Sequence, residues 1–139
     1  AIRHPALLSP VFFEKTGVLR MNAQDTGRRG GAAAARYYMN RGYKLLDHNY
    51  KTRQGELDLI LQKDEVVVIA EVKTRAENTW YRPQEAVTRA KQRRILLAAQ
   101  SYLQTNGLLD KTIRFDVVEA LTLPQGGFAI HCIRDAFQA

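Results

Sequence analysis

The sequence predicts an α/β fold in which a mixed β-sheet is flanked by helices, with the elements in the order αβββαββ. Five apolar runs of strand length are separated by polar turns, and two further stretches have the apolar periodicity of helices. The strands carry apolar residues on both faces, which implies that helices cover both sides of the sheet. The chain has 139 residues, 45% of them hydrophobic, which suits one domain with a substantial core.

The first helix is predicted to start at Asp25 or Thr26, either of which can cap it. It should run to about Arg41, because Gly42 provides a left-handed stop. Four consecutive alanines at 32–35 favour helix. The stripe expected to pack on the sheet consists of Ala35, Tyr38 and Met39.

The chain is predicted to divide into an N-terminal extension, residues 1–24, and a single domain, residues 25–139. The extension has little pattern, so we expect it to be weakly structured or to dock on a second copy of the chain. Its apolar part, residues 11–13, would be the docking element.

The first three strands are predicted at residues 44–50, 55–61 and 66–73. The polar residues 62–65 separate the last two strands, which indicates a β-hairpin. Alternate residues of a strand share a face, so one face of this hairpin is expected to be wholly aliphatic. That face would consist of Leu57, Leu59, Leu61, Val66, Val68, Ala70 and Val72.

The opposite face of the hairpin carries charged residues at one end. If the loop has two or four residues, Asp58 shares this face with Glu71, directly opposite it or one diagonal step away. Glu56 and Lys73 would then lie beside them, whereas a three-residue loop would separate Asp58 from Glu71. Two adjacent acids repel each other, so folding alone does not favour this cluster, and a divalent cation would relieve the repulsion.

A long helix is predicted to begin at Pro83, a residue suited to the first turn, and to stop at Asn106 and Gly107. Its buried stripe would be Ile95, Ala98, Ala99, Tyr102 and Leu103. The last two strands are expected at residues 112–121 and 128–134, joined by a glycine-containing turn.

Asp58, Glu71 and Lys73 are the residue types that phosphodiester hydrolysis requires. Carboxylate oxygens hold Mg²⁺ or Mn²⁺, and the carbonyl of Val72 and the carboxylate of Glu56 are further candidate ligands. The cation would polarise the phosphate, while Lys73 would orient or deprotonate a water or neutralise charge in the transition state. On spacing alone, a surface salt-bridge ladder explains these residues equally well.

The formal net charge of +7 predicts an anionic partner, with nucleic acid first and an acidic membrane surface second. The excess is local, because seven basic residues fall between positions 73 and 94 against two acids. The alternative is an ordinary solvated helix face. The predicted nucleic-acid-binding residues are Arg75, Trp80, Arg82, Arg89, Lys91, Gln92, Arg93 and Arg94.

Asp58, followed after twelve residues by Glu71, Val72 and Lys73, resembles the signature of PD-(D/E)XK nucleases. The chain also resembles the YraN-type family, small uncharacterised bacterial proteins regarded as predicted endonucleases related to Holliday junction resolvases. The resemblance covers about residues 26–120 and is carried by blocks at 55–60, 71–75, 83–87, 91–95 and 114–118. It implies a restriction endonuclease-like core, a Mg²⁺ or Mn²⁺ cofactor, a DNA substrate and the catalytic residues Asp58, Glu71 and Lys73.

Two positions depart from the family pattern. The family usually has a Gly-Arg-x-Gly-Glu motif whose glutamate related nucleases use at the metal site, and this chain has Gly31 in place of that acid. The family also tends to have Phe-Gly before the proline helix, where this chain has Trp80, Tyr81 and Arg82. The aromatic pair would stack on an unpaired base, wedge a junction, or pack over the edge of the core.

Several other classes of site are not expected. The three histidines, His4, His48 and His131, lack metal-ligand spacing. The single Cys132 excludes an intramolecular disulfide, which suits a reducing cytoplasm. No apolar run approaches the roughly 18 residues needed to span a bilayer, so we expect no membrane-spanning segment. Of the two anionic partners that the charge allows, we predict nucleic acid and no membrane.

Two functional classes follow. The first is a metal-dependent endonuclease acting on branched or structured DNA, for which a symmetric homodimer would suit two scissile strands. The second is a non-catalytic nucleic-acid-binding module with a degenerate nuclease site. Gly31 favours the second class, whereas Asp58, Glu56, Glu71 and Lys73 favour the first, which is the one we predict. A scaffold that binds only protein fits the basic helix least well.

Overall fold

A computed structural model describes residues 23–76 and 87–139 of the chain. Its elements are α1 (Ala23–Met39), β1 (Lys44–Lys51), β2 (Glu56–Lys63), β3 (Val66–Ala76), α2 (Arg89–Thr105), β4 (Thr112–Thr122) and β5 (Phe128–Phe137). This order confirms the predicted fold class and is consistent with a restriction endonuclease-like core. The predicted N-terminal extension lies outside the described residues except for positions 23 and 24. In the described ranges, neither helix is long and apolar enough to cross a membrane.

The five described strands form one mixed sheet in the order β1-β2-β3-β4-β5. β3 and β4 run parallel, and the other neighbouring pairs are antiparallel. Parallel strands need a crossover connection, and this one contains α2. The charged ends of β2 and β3 therefore lie at the end of the sheet from which the chain leaves towards α2.

Each helix packs on its own face of the sheet. On one face, α2 contributes Ile95, Ala98 and Tyr102 to a core that also contains Ile60 and Phe115. On the other face, α1 presents alanines, which let the helix lie close to the strands. This second core contains Ala32, Ala34, Ala35, Tyr38, Leu45, Leu59, Leu61, Val68, Ala70 and Val118.

A buried carboxylate ties α1 to the last two strands. Asp116 on β4 is 0% exposed and accepts hydrogen bonds from the hydroxyl of Tyr38 (2.7 Å) and the guanidinium of Arg114 (2.9 and 3.0 Å). The amide of Asp135 on β5 donates a further bond of 2.9 Å. A buried charge is tolerated when it is paired and fully hydrogen-bonded, so these contacts explain Asp116 as a structural residue.

The start of α1 differs from the prediction, and its end agrees with it. Ala23 is already helical, so Asp25 and Thr26 lie inside the helix and do not cap it. The helix ends at Met39, and Gly42 has a φ of +90°, as a left-handed stop requires. Of the predicted stripe, Ala35 and Tyr38 are buried and Met39 is partly buried.

The start of α2 was also predicted wrongly. The helix begins at Arg89 because Thr88 is extended, with φ −68° and ψ 163°. The side chain of Thr88 accepts a hydrogen bond from the amide of Lys91, which makes it the N-cap. One continuous helix from Pro83 is therefore wrong, and Pro83 itself lies outside the described residues.

The hairpin of β2 and β3 does not keep its predicted aliphatic face at the end away from the turn. Leu59 packs with the α1 core as expected, but Leu57 joins the α2 core beside Ile60. Pairing of β2 with β3 ends at Leu59 and Ala70, so beyond this point the two strands diverge. On β1, the residue facing this divergence is Asn49, whose φ of +49° breaks the regular strand conformation.

Gly30 lies where α1 touches β3. A Cβ atom at Gly30 would overlap the hydroxyl of Thr74, and the methyl group of Thr74 lies 3.0 Å from the same point. Gly30→Ala should therefore lower the free energy of unfolding by about 1–3 kcal/mol, because the helix is pushed off the strand. Gly31→Ala is the matched control, since a Cβ there meets nothing within 4 Å.

The control should raise the free energy of unfolding by about 0.5–1 kcal/mol, because alanine has the higher helix propensity. Urea denaturation of the two variants measures both effects. Equal stability of the Gly30→Ala and Gly31→Ala proteins would show that α1 can move away from Thr74 without cost.

Candidate active site

The two predicted metal-binding carboxylates meet where β2 and β3 diverge. The hairpin turn has two residues, Asp64 and Glu65, and the register that follows pairs Leu59 with Ala70. The turn therefore has the even number of residues that the prediction requires, and Asp58 and Glu71 are the first residues beyond the last pair. The two carboxyl groups are within hydrogen-bonding reach of each other. Because the ladder has ended, the amide of Val72 is free to donate to Oδ2 of Asp58, at 2.8 Å.

The carboxylate pair lies in a partly buried environment with two ammonium groups. Burial, together with the negative charge of Glu71, raises the pKa of Asp58 to about 7. Lys73 lies 3.8 Å from Oε2 of Glu71, and the ammonium of Lys91 on α2 contacts the same oxygen directly. Burial and the neighbouring Lys91 lower the pKa of Lys73. Burial also acts to lower the pKa of Lys91, but its contact with Glu71 outweighs this effect and raises it.

Two adjoining pockets, of about 430 and 800 Å³, form a groove along the carboxylate pair. Lys51, Glu56 and Asp58 line both of them. The smaller pocket lies between β2 and α2, where Gly55 is required, since a Cβ there would lie 2.6 Å from the carbonyl oxygen of Arg94. The larger pocket lies beside α1. An extended ligand could therefore run across the carboxylates from one helix to the other.

The donor set fits a divalent cation that keeps several waters. Asp58 and Glu71 supply hard oxygen ligands, and their mutual repulsion would be relieved by a cation. Glu56 lines both pockets with Asp58, and its half-exposed carboxylate lies 3.9 Å from the ammonium of Lys51. Within residues 23–76 and 87–139, no three acidic, histidine or cysteine side chains come together as a metal site. Glu56 and the carbonyl of Val72 remain predicted ligands only.

The sequence comparisons assign the family. The model of the uncharacterised protein family UPF0102 matches residues 30–120, about two thirds of the chain. The chain belongs to the UPF0102 family. This is the YraN-type group that the sequence blocks resemble, so the predicted membership is confirmed.

Individual UPF0102 relatives match over most of their length. A UPF0102 protein of Desulforapulum autotrophicum is 40% identical over 115 residues, which cover 83% of this chain and 94% of the relative. A second, from Symbiobacterium thermophilum, is 42% identical over 117 residues, covering 84% of this chain and 99% of the relative. The similarity therefore includes the strands and helices that form the groove.

Gly31 of this UPF0102 chain lies in the wall of the larger pocket, together with Asp58 and Lys73. A Cβ at Gly31 would meet nothing within 4 Å, so a longer side chain has room there. The position that departs from the family pattern thus borders the groove.

The basic residues predicted to bind nucleic acid do not share one face of α2. Successive residues of a helix are rotated by about 100°, which places Arg93 nearly opposite the buried stripe and Arg89 on one flank of it. Arg94 lines the smaller pocket. Lys91 contacts Glu71, and the amide group of Gln92 donates to the carbonyl of Val87, at 3.1 Å, in the segment before the helix.

The other predicted nucleic-acid contacts fall elsewhere. The guanidinium of Arg75, with 9% of its side chain exposed, forms an ion pair with Glu119 on β4. Little of it is accessible to a phosphate, and its role at the DNA stays a prediction. Trp80 and Arg82 lie outside the described residues. Sequence reasoning missed Lys51 and Arg28 in the groove, and only the polar turn that follows Lys51 could have pointed to the first of them.

Asp58→Asn should raise the free energy of unfolding by about 1–3 kcal/mol at pH 8 and leave it unchanged below pH 4. In the unfolded chain the pKa of Asp58 is about 3.9, and in the folded chain it is about 7. Between these values the folded protein holds an extra proton, so rising pH destabilises the wild type in this window. Asparagine stays neutral and can still accept the hydrogen bond from Val72.

Urea denaturation of the wild type and Asp58→Asn at several pH values measures this difference. Asp64→Asn, at the exposed hairpin turn, is the control and should show no such pH dependence. A difference between Asp58→Asn and wild type that stays constant from pH 4 to pH 8 would contradict the raised pKa.

Proposed function

We propose that this protein is a Mg²⁺- or Mn²⁺-dependent endonuclease that hydrolyses phosphodiester bonds in DNA, with branched or structured DNA such as junctions as the substrate. The observation that carries the proposal is the convergence of Asp58 and Glu71, with Lys73 beside them, on an open groove. Adjacent partly buried carboxylates cost folding stability, so their presence is best explained by a ligand that needs them.

Each residue has a distinct proposed role. Asp58 and Glu71 would hold the cation, which when bound polarises the phosphate and lowers the pKa of a bound water. The amide of Val72 fixes the orientation of the Asp58 carboxylate by its hydrogen bond. Lys73 would orient the attacking water and accept its proton, a role that its lowered pKa favours. Its ammonium form would instead neutralise charge on the phosphate.

The direct test is cleavage of a labelled four-way junction and of the matching linear duplex by the purified full chain. We expect cleavage with Mn²⁺ or Mg²⁺, none with EDTA, and a faster rate for the junction. Cleavage that persists in EDTA would overturn the metal-dependent mechanism. Equal cleavage rates for both substrates would contradict the preference for branched DNA but would still support nuclease activity.

The second candidate is a non-catalytic nucleic-acid-binding module. The observation that favours it is Gly31, because the residues of α1 that line the groove within the described part of the chain include no carboxylate. This candidate predicts that the protein binds the junction but leaves it intact at every Mn²⁺ concentration.

Both candidates require DNA in the groove, and this can be tested through the salt dependence of binding. Arg94 lines the groove and Arg93 faces away from it, although they are neighbours on α2. Arg94→Ala should therefore weaken binding and reduce the log-log salt slope by about 0.9, the value for one lost phosphate contact. Arg93→Ala should leave the slope unchanged.

Fluorescence anisotropy of labelled DNA at a series of salt concentrations measures both slopes. If Arg93→Ala reduced the slope as much as Arg94→Ala, the DNA would lie on the outer face of α2 and not in the groove.

A further inference from the structure

Lys91 lies at a place where α2 itself does not favour a cation. It belongs to the first turn of the helix, since its amide donates to the N-cap Thr88. The N-terminal end of a helix carries a partial positive charge, which disfavours lysine there. The contact of its ammonium with Oε2 of Glu71 offsets this cost. The position of Lys91 is therefore explained by the carboxylate pair and not by the helix.

Lys91 and Lys73 together balance the charge of the two carboxylates within the protein. Lys91 is in direct contact with Glu71, and Lys73 lies 3.8 Å from the same oxygen. The Glu71 side chain is only 6% exposed, whereas that of Lys91 is 35% exposed and borders the smaller pocket. The lysine can therefore turn out into the groove, but the glutamate cannot turn away from the site.

We infer that Lys91 is the resident counter-ion of the Asp58–Glu71 pair and competes with a divalent cation for it. The inference rests on the proposed function in one respect, namely that this pair takes such a cation. A cation held by both carboxylates would neutralise the charge that attracts Lys91 and would repel its ammonium, so the contact with Glu71 would weaken or break. The free energy of breaking this contact is subtracted from the affinity for the cation. Lys91 thus lowers the affinity of the carboxylate pair for the divalent cation.

The test is calorimetric titration of Mn²⁺ alone into the full-length wild type, Lys91→Met and Arg93→Met at one pH and ionic strength. Lys91→Met should bind Mn²⁺ about tenfold more tightly than the wild type, because the competing contact is lost. Arg93→Met removes the same charge from the far side of the same helix, and solvent screening should limit its effect to less than about twofold. Lys91→Gln is a second variant in case Lys91→Met does not fold.

The outcomes separate the inference from the proposed function. Unchanged or weaker Mn²⁺ binding in both Lys91 variants would overturn the inference alone, since a purely structural Lys91 predicts that result. An absence of Mn²⁺ binding in the wild type and in every variant would overturn the metal site itself, and the inference with it.

A measurement on the wild type checks the displacement directly. Acetylation requires the neutral amine, so the side chain of Lys91 should react slowly with an acetylating reagent while its ammonium contacts Glu71, and faster once Mn²⁺ displaces it. Lys44, which is exposed at the start of β1 and lines neither pocket, provides the internal reference in the same peptide digest. A rate for Lys91, relative to Lys44, that stays the same or falls on addition of Mn²⁺ would contradict the competition.

Discussion

Glu71→Gln is expected to lower the rate of Mn²⁺-dependent junction cleavage by at least about a hundredfold while the fold survives. Glutamine has the size of glutamate, so the packing of this 5% exposed residue is kept. A neutral amide cannot share a cation with Asp58 or balance the charges of Lys73 and Lys91. Asp58→Asn and Lys73→Ala should cause losses of similar size, since each removes one proposed role at the same site.

The matched control for this prediction is Glu65→Gln. Glu65 lies in the turn of the same hairpin, is 77% exposed and forms an ion pair with Lys111. This variant should retain the full cleavage rate. Circular dichroism of all variants establishes that they are folded. Activity that persists in Glu71→Gln would indicate a contaminating nuclease or a different active site.

The meeting of Asp58 and Glu71 could be predicted because it depends on local geometry. The two residues belong to one hairpin, so the parity of a short turn decides whether they share a face. The amide contact from Val72 could not be predicted in the same way. It exists because pairing of β2 with β3 stops at Leu59 and Ala70, and alternation of residue types does not reveal where a ladder ends.

The contacts that β3 makes with β4 and α2 could not be predicted from the sequence, for a different reason. The ion pair of Arg75 with Glu119 is one such contact. The parallel register sets Lys73 against Glu119, and Arg75 lies one diagonal step from that acid. Periodicity does not reveal this register, because the crossover that contains α2 separates β3 from β4 in the chain. The contact of Lys91 with Glu71 was not predicted either. It depends on the cap at Thr88, which sets where the first turn of α2 lies. The order of elements depends on local patterns and was predicted correctly.

Gly31→Glu should tighten Mn²⁺ binding by at least about tenfold, because it adds a third carboxylate to the two that meet in the groove. Gly31 lines the same pocket as Asp58, and a side chain there has open space ahead of it. Cleavage should rise accordingly, most clearly at low metal concentration. The variant should also be more stable by about 1 kcal/mol, because glutamate exceeds glycine in helix propensity. A favourable interaction with the helix dipole is not expected, since α1 already begins by Ala23, two turns earlier.

Gly31→Gln is the control that isolates the introduced charge, since it has the same length and a similar helix propensity but no carboxylate. Calorimetry with Mn²⁺ and cleavage of a four-way junction should be measured for the wild type and both variants. Both substitutions should stabilise the helix, and only Gly31→Glu should tighten metal binding. Equal Mn²⁺ affinity in the two variants would show that a side chain at this position does not reach the carboxylate pair. The correspondence between Gly31 and the family's helix glutamate would then be wrong, and the cation would depend on Asp58 and Glu71 alone.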